Sequence, residues 1–310
     1  MHKVFIDGGH GTTGLRINEY LAGRSDIEIL AIDPEERKNI NARLDKIKEA
    51  DVSILCLPDK AAEEIALAAP ADSVLIDTSS AHRTKEGWVY GMPELAADQR
   101  EKIKSSTRIA NPGCHASGFI LLVRPLADAG LIGRDALLSC FCMTGYSGGG
   151  KSMIARYEDA ARPEALDSPA QYALGQSHKH LPEMVKMTGL EYAPCFSPVV
   201  GDFYSGMVMT VPLHTAQLAR KAGPADILSI LAERYEGEKL IRVMDEAPGD
   251  GFVYSNPMAG SNGMQIYVTG NEERVLLMAS YDNLGKGASG AAVQNLNILL
   301  GAEETEGLIQ

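Results

Sequence analysis

The chain has 310 residues, of which 45% are hydrophobic and 23% charged, and this composition excludes a disordered or collagen-like protein. Its 29 basic and 41 acidic residues give a net charge of −12, which disfavours nucleic acid and anionic membranes as partners through electrostatic repulsion. No apolar run approaches the ~20 residues of a membrane span, and the first residues lack a secretory hydrophobic region, so we expect a cytoplasmic protein.

Roughly the first 110 residues alternate short apolar runs with helical segments, which predicts βαβ units and a parallel sheet. The strands are expected at residues 3–7, 27–33, 52–57 and 74–77, with helices at residues 15–22 and 59–69. Because the strands are almost continuously Val, Ile and Leu, we expect helices to cover both faces of the sheet.

A glycine-rich turn at residues 8–14 follows the first strand and opens the first helix. Glycines in this position let the backbone approach a pyrophosphate and direct helix N–H groups at it, although a plain glycine turn is the alternative. The candidate cofactor-binding residues are Gly8, Gly9, Gly11, Thr12, Thr13 and Gly14. Asp33, at the end of the second predicted strand, favours NAD, whereas Arg37 and Lys38 could hold the 2′-phosphate of NADP. The residues alone leave both nucleotides open.

The five cysteines are scattered and contain no Cys-x-x-Cys pair, so neither a disulfide framework nor a zinc site is expected. Cys114 differs from the others because it precedes a long apolar run at residues 116–129, which predicts a buried helix. A helix N-terminus lowers a thiol pKa and supplies N–H groups for an oxyanion, so we expect Cys114 to be a nucleophile. The remaining cysteines are expected to be unreactive: Cys56, Cys140 and Cys142 as buried thiols, and Cys195 in a loop.

His115 directly follows Cys114, and because adjacent residues on a helix point apart, we expect it to be a poor partner for the thiol. His178 and His180 precede a short predicted helix at residues 182–188. A histidine is the natural acid–base partner of a thiolate. The residues alone leave three interpretations open for this pair: acid–base chemistry, a structural role, or metal chelation without a visible third ligand.

The pattern changes after about residue 135 and predicts a second α+β domain with a mostly antiparallel sheet. Its strands are expected at residues 136–144, 204–213, 240–245, 264–269 and 275–281, with a helix at residues 224–235. A final helix at residues 289–300 ends before Gly301. Residues 145–176 are rich in Gly, Ser and Ala, which predicts mostly loop.

Two glycine-rich segments of this second half are candidate anion-binding turns. Residues 145–152 match the phosphate-binding pattern Gly-x-x-x-x-Gly-Lys-Ser, which taken alone would indicate an ATPase or kinase. Their position in the middle of the chain, with no good following strand that ends in a Mg²⁺-binding aspartate, argues against that function. Residues 282–290 again join a strand to a helix through glycines, as in an anion-binding turn.

Together these segments resemble the N-acetyl-gamma-glutamyl-phosphate reductases of the arginine pathway, in their short form. The resemblance extends over nearly the whole chain and includes the glycine turn and residues 90–95 and 111–114. Its most specific parts are residues 144–151, 178–183 and 282–295. The cysteine segment alone would also suit aspartate-semialdehyde dehydrogenases.

The resemblance implies an α/β fold with a Rossmann-like dinucleotide-binding domain at residues 1–113 and 283–310. It implies an α+β catalytic and dimerisation domain of the glyceraldehyde-3-phosphate dehydrogenase type at residues 114–282. The C-terminal helix would return to the first domain. A homo-oligomer, either a dimer or a tetramer, is also implied.

The resemblance further implies that NADPH reduces N-acetyl-L-glutamyl 5-phosphate, a small anionic substrate, to the 5-semialdehyde, with release of inorganic phosphate and without a metal. Cys114 would form a thioester and His180 would be the acid–base group. Asn283 and Gly285 would lie near the nicotinamide. The implied substrate contacts come from Arg83, Ser147, Gly149 and His178. The usual Ser-Ala-Asp-Phe-Arg stretch of the family differs here, because residues 79–83 are Ser-Ser-Ala-His-Arg.

Three alternatives stay open. One is a nucleotide-binding redox sensor that signals through oxidation of Cys114 without turnover. The second is the P-loop ATPase, which would depend on Lys151. The third lies within the same superfamily and takes aspartyl phosphate as its substrate.

Overall fold

The computed structural model describes all residues from Met1 to Gln310. The strands are β1 (His2–Asp7), β2 (Ile27–Leu30), β3 (Val52–Leu55), β4 (Leu75–Asp77), β5 (Val89–Tyr90), β6 (Arg108–Ala110), β7 (Ser139–Gly145), β8 (Ala170–Gln171), β9 (Cys195–Gly201), β10 (Met207–His214), β11 (Ile241–Val243), β12 (Met264–Gly270) and β13 (Arg274–Tyr281). The α-helices are α1 (Thr12–Leu21), α2 (Ile40–Glu49), α3 (Asp59–Ala68), α4 (Gln99–Lys104), α5 (Cys114–Asp128), α6 (Gly150–Glu158), α7 (Leu181–Thr188), α8 (Pro224–Arg234) and α9 (Gly290–Leu300). None of them combines the length and the apolar character that crossing a bilayer requires.

The chain divides into two compact units. The first comprises Met1–Gly113 and Ala288–Leu308, and the second comprises Cys114–Gly287 and Ile309–Gln310. The chain therefore returns to the first unit at Ala288 rather than at residue 283. The difference arises because a single π-helical turn at Gly285–Ser289 begins in the second unit.

The first unit contains a six-stranded sheet of order β2-β1-β3-β4-β6-β5, in which every neighbouring pair is parallel. Side chains alternate between its two faces. Val4 and Ile6 belong to one apolar cluster and Phe5 to the other. Both faces are therefore buried, as the continuous apolar strands predicted.

The two clusters are closed by different helices. Ile17 of α1 and Val293 of α9 pack on one face, so the C-terminal helix completes the core of the first unit. Ile47 of α2 and Ile65 of α3 pack on the other face. Helix α2 is not among the predicted helices, because its charged residues obscure the apolar stripe. Among those charges, Arg43 is buried and donates to the Asp7 carboxylate at 2.7–3.1 Å.

The second unit contains a seven-stranded mixed sheet of order β11-β12-β13-β10-β7-β9-β8. Two of its pairs, β7 with β9 and β11 with β12, are parallel, and the other pairs are antiparallel. The prediction of a mostly antiparallel sheet is thus confirmed. Helix α5 packs on β10 and β13, and α8 packs on β12.

Strand β9 corrects one prediction. Cys195 was expected in a loop, but it is the first residue of this strand and pairs with Ser139 of β7. Pro198 and Gly201 within the strand interrupt the pattern by which strands are recognised. The segment 145–176 also holds more regular structure than expected, because it contains α6 and β8.

Candidate active site

Cys114 is the first residue of α5, the most buried long helix of the second unit, and its thiol is half-buried. Backbone N–H groups in the first turn of a helix point toward its N-terminus, where they attract negative charge. The sequence predicted this placement from the apolar run that follows Cys114. The site therefore has the thiol and the electrostatic environment that a thiolate needs.

A tyrosine hydroxyl is inserted into the first turn of α5. The hydroxyl of Tyr281, at the end of β13, accepts a hydrogen bond from the amide of Gly118 at 3.1 Å and donates to the carbonyl oxygen of Cys114 at 2.6 Å. A helix also joins these two backbone groups directly, so the hydroxyl is an additional partner for both of them. Only glycine fits at position 118, because a Cβ atom there would lie 2.6 Å from the Tyr281 oxygen. This hydroxyl therefore positions the backbone of Cys114.

The residue after Tyr281 organises the segment that packs against Cys114. One carboxylate oxygen of Asp282 accepts from the amides of Leu284 and Gly285, at 2.6 and 2.7 Å. The other accepts from the Ser205 hydroxyl and the Gly260 amide. The turn that is shaped in this way brings Gly287 so close that a Cβ atom on it would lie 2.8 Å from the Cβ of Cys114.

His115 contacts the thiol, which corrects the expectation that it would be a poor partner. Its Nδ1 lies 3.3 Å from the Cys114 sulfur. The expectation holds in the middle of a helix, where adjacent side chains point to different sides. At the first two positions, side chains lean back toward the open N-terminus and can meet beyond the last turn.

The environment of His115 keeps its imidazole neutral. Burial, together with the charges of His178 and Lys179, lowers the pKa of His115 to about 3. Its Nε2 lies 2.9 Å from the hydroxyl oxygen of Tyr172. Burial raises the pKa of Tyr172, so this hydroxyl keeps its proton and can donate to Nε2. In that tautomer the Nδ1–H of His115 donates to the sulfur of Cys114.

His178 and His180 complete a cluster of aromatic rings around His115. The ring centroid of His115 lies 5.4 Å from the centroid of each of the other two. His180 is buried just before α7, and its Nε2 lies 4.0 Å from a carboxylate oxygen of Glu183. His178 accepts a hydrogen bond from the His180 amide through its Nδ1. The structure thus brings both predicted histidines to the predicted cysteine.

The glycine-rich segment at residues 145–152 does not form a phosphate-binding loop. Its amides at residues 145–147 donate to backbone carbonyls of residues 203–206, at 2.9–3.0 Å. The amide of Gly150 donates to the carbonyl of Ser147. A P-loop needs such N–H groups to hold phosphate oxygens, and here they are used within the unit.

The two predicted substrate-contact residues of this segment, Ser147 and Gly149, differ in their surroundings. The Ser147 hydroxyl is buried and accepts from the side-chain amide of Asn283 at 3.0 Å, while Gly149 is exposed before α6. The side-chain oxygen of Asn283 accepts from the Gly206 amide. Asn283 therefore ties the segment to the β9–β10 loop. Gly285 has no room for a side chain, because a Cβ atom there would lie 2.0 Å from the Ser261 carbonyl oxygen.

The glycine turn of the first unit has the shape that a dinucleotide requires. Gly8 has a φ of +85°, and a Cβ atom on it would lie 2.3 Å from the carbonyl oxygen of Cys56. Helix α1 begins at Thr12, so the amides of Thr12 and Thr13 are directed toward the turn. Both features fit the pyrophosphate of a nicotinamide dinucleotide, because the close backbone and the helix N-terminus suit an anion.

The residues predicted to bind the adenosine ribose or its 2′-phosphate lie beyond β2. This strand ends at Leu30 rather than at residue 33. Asp33 is therefore in an exposed loop, where its carboxylate accepts from the Glu35 amide at 2.9 Å. Arg37 and Lys38 are exposed in the same loop. This geometry keeps both nucleotides open.

Arg83 is buried in the first unit, where it contacts backbone carbonyls. Its Nε donates to the carbonyl of Asn111 at 2.9 Å and its Nη2 to that of Thr78 at 3.1 Å. The preceding residue, His82, lies 2.6 Å from the Asp77 carboxylate and stacks on Trp88. The altered stretch at residues 79–83 is thus a packed part of this unit.

Sequence reasoning missed four contributors to the site: Tyr172, Tyr281, Asp282 and the contact of His115 with the thiol. Tyr172 lies in the segment expected to be mostly loop, and no local pattern marks it. Tyr281 is the last residue of a predicted strand and Asp282 the first residue of the glycine-rich segment 282–290, so their position at this strand end was the only signal of their roles.

Two family models cover most of the chain. The semialdehyde dehydrogenase NAD-binding domain matches residues 3–105, and the semialdehyde dehydrogenase dimerisation domain matches residues 114–283. The relatives with assigned names include the N-acetyl-gamma-glutamyl-phosphate reductases of Brucella ovis and Brucella anthropi. The first is 45% identical over 306 residues, covering 96% of this chain and 99% of that protein. The second is 46% identical, covering 96% and 98%.

Solved structures agree on the fold. Aspartate semialdehyde dehydrogenase II of Vibrio cholerae superposes with a TM-score of 0.74 at 17% identity, covering 97% of this chain and 98% of that one. Aspartate semialdehyde dehydrogenase of Francisella tularensis gives 0.73 at 13% identity, covering 97% and 100%. At this identity the likeness establishes the architecture alone.

The inserted hydroxyl predicts a specific effect of Tyr281→Phe. Without it, the Gly118 amide and the Cys114 carbonyl lose a shared partner, so the first turn and the thiol are held less firmly. We expect iodoacetamide to alkylate Cys114 about 3- to 10-fold more slowly, measured by mass spectrometry of the modified peptide.

Tyr235→Phe is the matched control, because the Tyr235 hydroxyl donates to the carbonyl of Leu121 on the same helix at 2.6 Å. Both variants should lose about 0.5–1.5 kcal/mol of stability, while only Tyr281→Phe changes the alkylation rate. Equal alkylation rates in the two variants would assign Tyr281 a purely structural role.

Proposed function

The chain belongs to the N-acetyl-gamma-glutamyl-phosphate reductase family, and on this premise we propose that it reduces N-acetyl-L-glutamyl 5-phosphate to N-acetyl-L-glutamate 5-semialdehyde in arginine biosynthesis. It is an oxidoreductase that acts at the level of a semialdehyde. The observation that carries the proposal is Cys114 at the N-terminus of α5, in contact with a cluster of three buried or half-buried histidines. This arrangement supplies a nucleophile and an acid–base group for acyl transfer.

The reaction begins with the thiolate of Cys114, which attacks the acyl carbon of the substrate. Neutral His115 stabilises the thiolate by donating its Nδ1–H to the sulfur, and Tyr172 maintains that tautomer from the other side of the ring. Amides of the first turn of α5 stabilise the developing oxyanion. Each such donor contributes about 3–4 kcal/mol in comparable sites. The carbon–oxygen bond to phosphate then breaks, inorganic phosphate leaves, and a thioester to Cys114 remains.

Residues of the glycine turn would hold the dinucleotide through backbone amides, and NADPH supplies the hydride that reduces the thioester. Reduction leaves a tetrahedral oxyanion on the Cys114 thioester carbon, which the His180 imidazolium protonates to the thiohemiacetal. The same imidazole takes this hydroxyl proton back as the carbon–sulfur bond breaks, so the semialdehyde leaves and Cys114 is again a thiolate. Glu183, 4.0 Å from Nε2 of His180, favours the protonated imidazolium that this step produces.

The finer contacts of the ligands are part of this proposal. Arg37 in the exposed loop beyond β2 would hold the 2′-phosphate of NADP, with Asp33 beside it. Asn283 and Gly285 would lie near the nicotinamide. The substrate contacts stay assigned to Arg83, Ser147, Gly149 and His178. The five cysteines are free thiols, which suits the reducing cytoplasm.

We expect the reverse reaction to test the proposal directly. With N-acetyl-glutamate 5-semialdehyde as the electron donor, reduction of NADP should require inorganic phosphate and should fall at least about 10³-fold in Cys114→Ser. Absorbance of the reduced nucleotide measures the rate, and NAD and aspartate semialdehyde in parallel measure the two specificities.

The matched control for this variant is Cys195→Ser, which removes the exposed thiol. It should keep the wild-type rate. A wild-type enzyme that binds NADPH but turns over neither semialdehyde would instead support the redox sensor.

The acid–base role is tested by His180→Asn. We expect the rate to fall about 10²- to 10⁴-fold and its pH dependence near neutrality to flatten, because the group that takes the proton is gone. The measurement is kcat/KM from pH 5.5 to 9 for wild type, His180→Asn and His178→Asn. A profile that flattens only in His178→Asn would move the role to His178.

We further propose that the protein forms a homo-oligomer through the outer face of the second sheet. That face carries the side chains of Phe141, Met143, Val208, Thr210, Leu276 and Met278. Phe141 and Leu276 are each 41% exposed. An apolar sheet face of this extent is typical of a protein–protein interface.

Accordingly, Leu276→Asp should shift the protein toward monomers at micromolar concentration, because it places a charge in a desolvated interface at a cost of several kcal/mol. Light scattering after size-exclusion chromatography measures the mass. Leu67→Asp in the first unit, where Leu67 is 89% exposed, should change nothing. Equal masses for the two variants would contradict this interface.

A further inference from the structure

Three side chains that bind soft divalent metals meet at the N-terminus of α5. One ligand atom from each of Cys114, His115 and His180 lies within 4.8 Å of the others. We propose that this cluster is a binding site for thiophilic divalent cations such as zinc, which inhibit the enzyme by capturing its nucleophile. The binding depends only on the cluster, whereas the inhibition rests on the proposed role of Cys114.

The distances suit four-coordinate zinc. Bond lengths of about 2.3 Å to sulfur and about 2.0–2.1 Å to nitrogen place ligand atoms about 3.3–3.6 Å apart in a tetrahedral site. The sulfur of Cys114 and Nδ1 of His115 are already 3.3 Å apart. The third ligand, from His180, has to close by up to about 1.2–1.5 Å, the difference between 4.8 Å and the spacing in a tetrahedral site.

The surroundings of the cluster resemble those of protein metal sites. An imidazole that binds a metal through one nitrogen commonly bonds a protein acceptor through the other, which fixes its orientation. In His115 that second nitrogen is Nε2, 2.9 Å from the Tyr172 hydroxyl. Metal binding at Nδ1 requires the other tautomer of His115, in which the ring proton is on Nε2 and the Tyr172 oxygen accepts it. The lone pair of Nδ1 then faces the metal. Glu183 lies 4.0 Å from Nε2 of His180.

The sequence spacing conceals this site. Cys114 and His115 are adjacent, whereas His180 comes from another element, so no short ligand motif is present. His178 and His180, which are close in sequence, showed no third ligand by themselves. The fold supplies it by bringing the start of α7 to the start of α5.

The binding step involves no redox change. The cation takes the lone pairs of two neutral imidazoles and of the Cys114 thiolate, and the thiol proton is released to solvent. A fourth position is left for water, as in open zinc sites. The sulfur lone pair is then committed to the metal, so the acyl carbon of the substrate is not attacked.

Cobalt(II) provides a direct test, because thiolate-bound Co²⁺ has a sulfur-to-metal charge-transfer absorption in the near ultraviolet. We expect reduced wild-type enzyme without substrate to bind one Co²⁺ per chain with this absorption, and Zn²⁺ to displace it. The charge-transfer absorption should be absent from Cys114→Ser and unchanged in Cys195→Ser. His115→Asn should bind Co²⁺ about 10-fold or more weakly.

Two independent measurements complete the test. Bound Zn²⁺ should slow alkylation of Cys114 by iodoacetamide while Cys195 in the same sample reacts as before. Thermal melting should show that each variant is folded. A charge-transfer absorption that survives in Cys114→Ser, or an unchanged affinity in His115→Asn, would overturn the site. Because these readouts need no turnover, they stand even if the proposed substrate is wrong.

Discussion

The Tyr281 hydroxyl bonds the backbone at the start of α5, and the position of Cys114 depends on it. It accepts from the Gly118 amide and donates to the Cys114 carbonyl, two groups that lie one helical turn apart. Tyr281 is the last residue of β13, an interior strand of the second sheet. Its hydroxyl therefore connects this sheet to the backbone of Cys114. Asp282 then directs the chain so that Gly287 packs on Cys114 from outside. Two consecutive residues at the end of one strand, Tyr281 and Asp282, therefore hold Cys114 from two sides.

Charge is the second constraint on the site, because three imidazoles share a small volume. Buried like charges repel strongly, so the charge of His178 disfavours the imidazolium form of His115. The lowered pKa of His115 reflects burial together with this repulsion, and it makes His115 a hydrogen-bond donor rather than a base. His180 differs from His115 in having a carboxylate near its ring, which suits the acid–base role proposed for it.

Local rules predicted many of the elements and singled out Cys114, and contacts between distant residues explain much of what they missed. The apolar strands of the first unit, α5 and the turn before α1 all follow from short-range patterns, whereas the acid–base assignment of His180 came from the family resemblance. Tyr172 reaches His115 across 57 residues and Tyr281 reaches Gly118 across 163, so no window of the sequence contains either pair. Strand β9 was missed for a local reason, since Pro198 and Gly201 disguise it.

The segment at residues 145–152 illustrates why a motif needs its hydrogen bonds. Its sequence matches the pattern of a phosphate-binding loop, and a strand and a helix flank it as such a loop requires. Whether such a segment binds phosphate depends on the groups with which its amides form hydrogen bonds. The amides of residues 145–147 donate to backbone carbonyls of residues 203–206. The same glycines that would admit a phosphate here admit a neighbouring loop, because a Cβ atom at Gly145 would lie 2.6 Å from the Tyr204 carbonyl oxygen. Gly145 is therefore needed for close packing beside the second sheet, and no phosphate is required to explain it.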